Sequence, residues 1–121
     1  MTVTIERLEK KAAQEVVESI HQSVGLSYTE VASALGVDRR TLLRYRKKQN
    51  IPSSRARAGL EKMREIRFLL QAIFTSEEGA REWLYSSVPL LQGRRPIDLL
   101  RGGELDRVLS VLAGHYSGSH I

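Results

Sequence analysis

The sequence predicts an all-α protein, an N-terminal helix-turn-helix unit followed by a second helical unit. Three observations carry the prediction. Apolar residues recur at three- and four-residue intervals in several stretches. Cap-forming residues and glycines stand where those stretches should start and stop. No segment shows the two-residue alternation that a half-buried strand requires.

Ile5, Leu8, Ala12, Val16 and Ile20 form a helical stripe that ends near Gly25, giving the first helix of the N-terminal unit. The Glu and Lys residues around it read as a solvated face. Ser27 can cap a second helix and Glu30 can reach back to it, the S-x-x-E capping box, with Leu26 and Val31 as a hydrophobic staple. Gly36 should end that helix because glycine tolerates a left-handed cap. Asp38 can cap a third helix whose apolar residues Leu42 and Tyr45 share one face. Two short helices joined by a glycine turn make a helix-turn-helix, and the small side chain of Ala32 lets them cross closely.

The third helix carries the chemistry. Its outward positions are Arg39, Arg40, Thr41, Leu43, Arg44 and Lys47. Such a face fits the major groove of double-stranded DNA, where Arg can bond guanine edges and Lys or Arg can neutralise phosphates; Leu43 can touch a thymine methyl or pack at a dimer edge. A solvated helical hairpin would also have a charged face, but charge placement argues against it. From Asp38 to Arg57 there are eight Lys or Arg and one Asp, a local net of +7 in a chain of net +5, so the remainder carries −2. One basic patch on a slightly acidic background is the footprint of nucleic-acid binding.

Asn50-Ile51-Pro52 stops the third helix, because the residue before proline is pushed out of the helical region. The boundary between the halves is placed there, giving units 1–52 and 53–121. Ser53 or Ser54 can cap the next helix, which runs to about Phe74 with the stripe Leu60, Met63, Ile66, Leu70 and Ile73 facing the core or a dimer partner. Arg55 and Arg57 lie in its first turn, where cations oppose the helix dipole unless a phosphate is near. Thr75 and Glu78 can make a second capping box, opening a short helix through Trp83 and Tyr85. A turn-rich connection follows, with one helical turn at Leu90 and Leu91. Pro96 suits the first position of the next helix, which Gly102-Gly103 ends. The last helix is expected from about Glu104 to Ala113, stopped by Gly114, leaving HYSGSHI as a tail.

Composition removes several function classes. There is no cysteine, so no disulfide, thiolate ligand or thiol nucleophile. The histidines lie too far apart for metal-site spacing, so no metal is expected, and no cofactor is implied. There is no phosphate-cradling glycine loop, nucleophile motif or paired-carboxylate arrangement, so the chain does not read as an enzyme. No apolar run reaches the length of a membrane span, and the expected setting is the cytoplasm.

The block WLYSSVPLLQGRRPIDLLRGGELDRVLSVLAG adds a resemblance. Trp83, Leu91-x-Gly93, Pro96, Leu99-Leu100, Gly103, Val108, Leu112 and Gly114 resemble the C-terminal domain of Xre/MbcA/ParS-type antitoxins, and the helix-turn-helix is similar to the Xre-like half of that family. Many relatives carry Pro-Asn after the tryptophan helix, where this chain has Ser87-Val88 and then Pro89. The resemblance implies an antitoxin paired with a RES-domain toxin that degrades NAD or transfers ADP-ribose from it. It implies a C-terminal domain that clamps the toxin and obstructs its NAD pocket, and a helix-turn-helix homodimer that binds the promoter of its own operon. On that reading Arg94, Arg95 and Arg101 are expected to face acidic groups of the toxin. The tail residues His115, Tyr116, Ser117, His120 and Ile121 are expected at its pocket. Trp83 is expected in the core. The main alternative is a plain helix-turn-helix transcription regulator whose C-terminal half only dimerises or senses a ligand; a third reading, an inhibitory interaction protein whose helix-turn-helix no longer binds DNA, is opposed by Arg39, Arg40, Arg44 and Lys47.

Overall fold

The structure is a computed structural model and describes residues 4–118. The described residues contain seven α-helices and no strand. They are α1 (Ile5–Ser19), α2 (Tyr28–Leu35), α3 (Arg39–Arg46), α4 (Ser54–Ile73), α5 (Glu77–Leu84), α6 (Pro96–Arg101) and α7 (Leu105–Tyr116). The chain is thus all-α.

Local chemistry sets the start of α2 as the sequence indicates. Ser27 Oγ accepts from the Glu30 amide at 3.0 Å, and Glu30 Oε1 accepts from the Ser27 amide at 2.9 Å. The capping box is complete, and Leu26 and Val31 on either side of it are buried. Gly36 takes the left-handed conformation that ends the helix, at φ 72°. Asp38 caps α3 by accepting from the Thr41 amide at 2.7 Å, and Leu42 and Tyr45 are buried beneath it. Ser53 caps α4, Pro89–Leu91 form a 3₁₀ turn, and Pro96 opens α6.

Three expectations are corrected. The first concerns α1: Ile5 and Leu8 are 76% and 54% exposed, while Ala13, Val17, Ile20 and Val24 form the buried stripe. The N-terminal turns extend beyond the elements they could pack on. A π-helical turn, Ile20–Val24, follows α1, and its wider turn, with i→i+5 hydrogen bonding, keeps both Ile20 and Val24 in the core before Gly25 ends it. The second concerns α5, capped by Ser76 and not Thr75: Ser76 Oγ accepts from the Gly79 amide at 3.0 Å. The third concerns α7, which passes through Gly114 to Tyr116. Glycine weakens a helix interior without stopping it, and the end is fixed by Ser117, whose amide bonds Ala113 O and whose hydroxyl donates to Gly114 O at 2.9 Å.

One continuous apolar core joins the elements. α4 runs through its centre, packing against α1, α2, α5 and α7, and contributes Ala56, Leu60, Met63, Ile66, Leu69 and Leu70. Gly59 brings α4 onto α2: a Cβ there would stand 2.8 Å from Leu35 Cδ2. Trp83 is half-buried and packs on this core, its ring centroid 6.0 Å from that of Phe74.

Candidate functional site

The outer face of α3 is assembled as the helical spacing requires. With Leu42 and Tyr45 fixed inward, Arg39, Arg40, Leu43 and Lys47 are exposed and Thr41 and Arg44 half-buried. The Thr41 amide is committed to the cap, so only its side chain is available to a ligand. Asp38, accepting that amide with Arg44 and Arg40 nearby, holds its carboxyl below the usual carboxylate range. The only acidic side chain of the patch is thereby occupied, and the outward arginines keep their donors.

Arg46 is sorted out of this set. Its Nε lies 2.8 Å from Glu18 Oε1, and its guanidinium carbon is 3.6 Å from the Tyr28 ring centroid. The Tyr28 hydroxyl donates to Glu18 Oε2 at 2.8 Å, and His21 stacks on the Tyr28 ring at 3.9 Å between centroids. A second ring and a guanidinium that close must occupy opposite faces of the tyrosine. The Arg46 hydrogen bond, followed by that from Tyr28, holds the Glu18 carboxyl below its usual range, and Glu18 in turn pushes the Tyr28 hydroxyl up. Glu18 belongs to α1, Tyr28 to α2 and Arg46 to α3, so this cluster ties the three helices together and thereby fixes the pose of the outer face of α3. Sequence reading missed it. Its partners are 28 residues apart, and only the position of Arg46 on the flank of the Leu42–Tyr45 face hints at an inward role.

The expected C-terminal contacts form two groups. Arg94 pairs with Glu104 at 2.7 Å and Arg95 with Asp98 at 2.8 Å. Arg101 Nε lies 2.8 Å from Glu30 Oε2, close enough to pair but without hydrogen-bond alignment, and its Nη1 is 3.5 Å from Asp98. Arg95 and Arg101 also lie 5.5 and 6.0 Å from the centroid of the exposed Tyr85 ring. These arginines therefore hold acidic partners of their own chain, and Arg101 ties α6 to the capping box of α2. Glu30 is held below its usual range chiefly by the Ser27 amide, with Arg101 contributing.

His115, Tyr116 and Ser117 are exposed at the end of α7. His115 borders a groove with Trp83, Val88 and Val111, and Tyr116 meets Phe68 edge-on at 6.2 Å. His120 and Ile121 lie outside the described residues. Among the described residues no group of three His, Asp or Glu side chains is placed to hold a metal ion, and no helix is long and apolar enough to cross a membrane.

Comparison with known proteins bears on both regions. Residues 69–118, from the end of α4 through α7, match the family model of the antitoxin Xre/MbcA/ParS C-terminal toxin-binding domain. The mycobacterial cidal antitoxin MbcA of Mycobacterium tuberculosis is 29% identical over 93 residues, 75% of this chain and 80% of that protein. A probable mycobacterial cidal antitoxin of the same species is 28% identical over 121 residues, the full length of both chains. A chain in the crystal structure of the M. tuberculosis MbcT–MbcA toxin-antitoxin complex superposes with a TM-score of 0.61 at 26% identity, covering 89% of this chain and 96% of that one. The motif block from Trp83 to Gly114, the domain match over it and a likeness that extends through the helix-turn-helix converge: the chain is similar to the Xre/MbcA/ParS-type antitoxins in both halves.

Proposed function

We propose that this chain is an antitoxin that neutralises a RES-domain toxin, one that degrades NAD or transfers ADP-ribose, by covering the toxin's NAD pocket with its C-terminal unit, and that its N-terminal unit represses the operon as a DNA-bound homodimer. The observation that carries the reading is the match of residues 69–118 to a toxin-binding domain; a plain transcription regulator would need α3 but not that domain. Units 1–52 and 53–121 divide the work, with Arg39, Arg40, Thr41, Leu43, Arg44 and Lys47 on DNA. Arg94, Arg95 and Arg101 face the toxin, and His115, Tyr116 and Ser117 lead His120 and Ile121 toward its pocket. Arg94 and Arg95 can exchange Glu104 and Asp98 for toxin carboxylates at little cost, since exposed ion pairs contribute little.

The test uses the product of the neighbouring gene, co-purified with this chain and assayed for NAD loss before and after the chain is stripped away. A complex silent as purified and active when stripped is expected. Because α7 continues to Tyr116, truncation should begin after Ser117, leaving the helix whole. That truncation and the pair His115→Ala, Tyr116→Ala should each release activity while leaving DNA binding intact. Full inhibition by both would move the block from the chain end to the α6 surface, and failure to form any complex would favour a plain regulator.

A further inference from the structure

The basic segment between Asp38 and Arg57 does not act as one charge cloud. Arg46 is bound to Glu18 and Arg57 to Glu9, at 2.8 and 3.2 Å. Lys48 and Arg55 form no ion pair among the described residues, and both are exposed. They stand at opposite ends of the recognition helix. Lys48 follows the C-terminal cap residue, Lys47. Arg55, the second residue of α4, folds back over the turn that leads into α3, with Nη2 3.2 Å and Cζ 3.3 Å from where a Cβ on Gly36 would be.

The backbone at Lys48 is the second observation. Lys48 sits at φ 57°, in the left-handed region that glycine occupies at most such helix ends. It closes α3 by directing its amide to Tyr45 O, while the Gln49 amide returns to Arg44 O at 2.8 Å. One other described non-glycine residue adopts this conformation, Gln92, and its side-chain oxygen accepts from Arg107. The Lys48 side chain has no such local use. A strained position that holds a lysine where glycine would relax the turn points to a use outside the chain.

α3 has eight residues, a length of about 12 Å at 1.5 Å per residue, and the major groove is about 12 Å wide. Cations at the two ends of a helix of that length can reach the sugar–phosphate strands that border the groove. We propose that Lys48 and Arg55 form a phosphodiester-binding pair flanking the recognition helix, one clamping the DNA backbone at each end of α3. The pair positions the helix and reads no base. The proposal rests on the DNA-binding reading of α3 and names the part of that surface that fixes register.

The experiment measures binding of the full-length chain to a random-sequence 30-base-pair duplex between 50 and 200 mM salt, since phosphate contacts act on any sequence. Each lost phosphate contact lowers the slope of log affinity on log salt by about 0.9, so the variant loses about 3.5-fold less affinity over that range. Lys48→Gly and Arg55→Met should each show this reduction and the double variant about twice it on the logarithmic scale. The methionine keeps the apolar stem over Gly36. Arg57→Ala, which removes a cation already paired with Glu9, should leave the slope unchanged. Lys48→Gly should in addition melt at a higher temperature than the parent, because the turn is relieved of strain. Parental slopes in Lys48→Gly and Arg55→Met would overturn the pair while leaving DNA binding by α3 intact, and so would a Lys48→Gly chain that melts lower and binds as the parent does. No binding of the parent chain to this duplex at 50 mM salt would overturn the DNA-binding reading and the pair with it.

Discussion

At the scale of single residues, the two kinds of arginine on α3 call for opposite experiments. Arg40 is exposed with no ion pair among the described residues, and Arg44 is half-buried along the same face. If either reads a base, its replacement by Ala should cost about 1–3 kcal/mol of operator affinity and relax the preference at one position. Comparison of binding to the operon promoter and to single-base variants of it measures this, and equal weakening on every sequence would make the residue a phosphate contact. Glu18 and Arg46 belong to the other kind. The pair is about one-third exposed, so its Coulomb energy is screened, and with the Tyr28 contacts the cluster should contribute about 1 kcal/mol. Glu18→Gln should therefore lower stability at pH 7. The Glu18 carboxyl is held below its unfolded value, so its contribution is present above the unfolded pKa near 4.3 and is lost as pH falls through the folded value. Urea unfolding at pH 7 and again near pH 3 should find a gap between parent and variant that closes in acid. A gap of constant size would assign the effect to packing.

At the scale of elements, the helices were legible where a local rule decides them and obscure where a distant neighbour does. Ser27 with Glu30, Asp38, Gly36 and Pro96 act within four residues of themselves, and each forms the boundary its chemistry dictates. Ile5 and Leu8 satisfy the same periodicity as Val17, but periodicity cannot say whether another element reaches the face, and none covers them here. Gly114 shows the converse error, since glycine permits a helix end and does not impose one. Gly59, unremarkable in sequence, is where α4 leaves no room for a side chain beside Leu35 of α2. Gly59→Ala would gain about 1 kcal/mol of helix propensity, yet its methyl would press 2.8 Å from the end of Leu35, a side chain only 3% exposed. Overpacking costs about 1–3 kcal/mol, so a net loss of about 1 kcal/mol is expected. A thermal melt checks it: a higher midpoint would mean that Leu35 has room to turn away.

At the scale of the whole molecule, the outer face of α3 and the α6–α7 end of the chain are two surfaces of one core. α4 carries the connection, with Met63 and Ile66 each 1% exposed in the cluster that also holds Leu42 of α3 and Leu112 of α7. Ion pairs cross between the halves at the periphery, Glu30 with Arg101 and Glu9 with Arg57. The boundary expected at Pro52 does not interrupt the packing, since α4 contacts helices on both sides of it. Such a chain should unfold as a unit, because neither half can keep its apolar face dry once α4 leaves. Trp83, the sole tryptophan, reports the C-terminal half by fluorescence, while helical circular dichroism reports the whole chain. The two urea transitions should coincide in midpoint and slope. Ile66→Ala, which deletes a fully buried side chain at a cost of about 2–5 kcal/mol, should move both together. A tryptophan transition that stayed in place while the dichroism moved would show that the halves fold separately and that toxin binding at one end cannot be felt at α3 through the core. Coincidence would mean that any partner seated on α6 and α7 also stabilises the pose of the recognition helix, by mass action on a shared folded state.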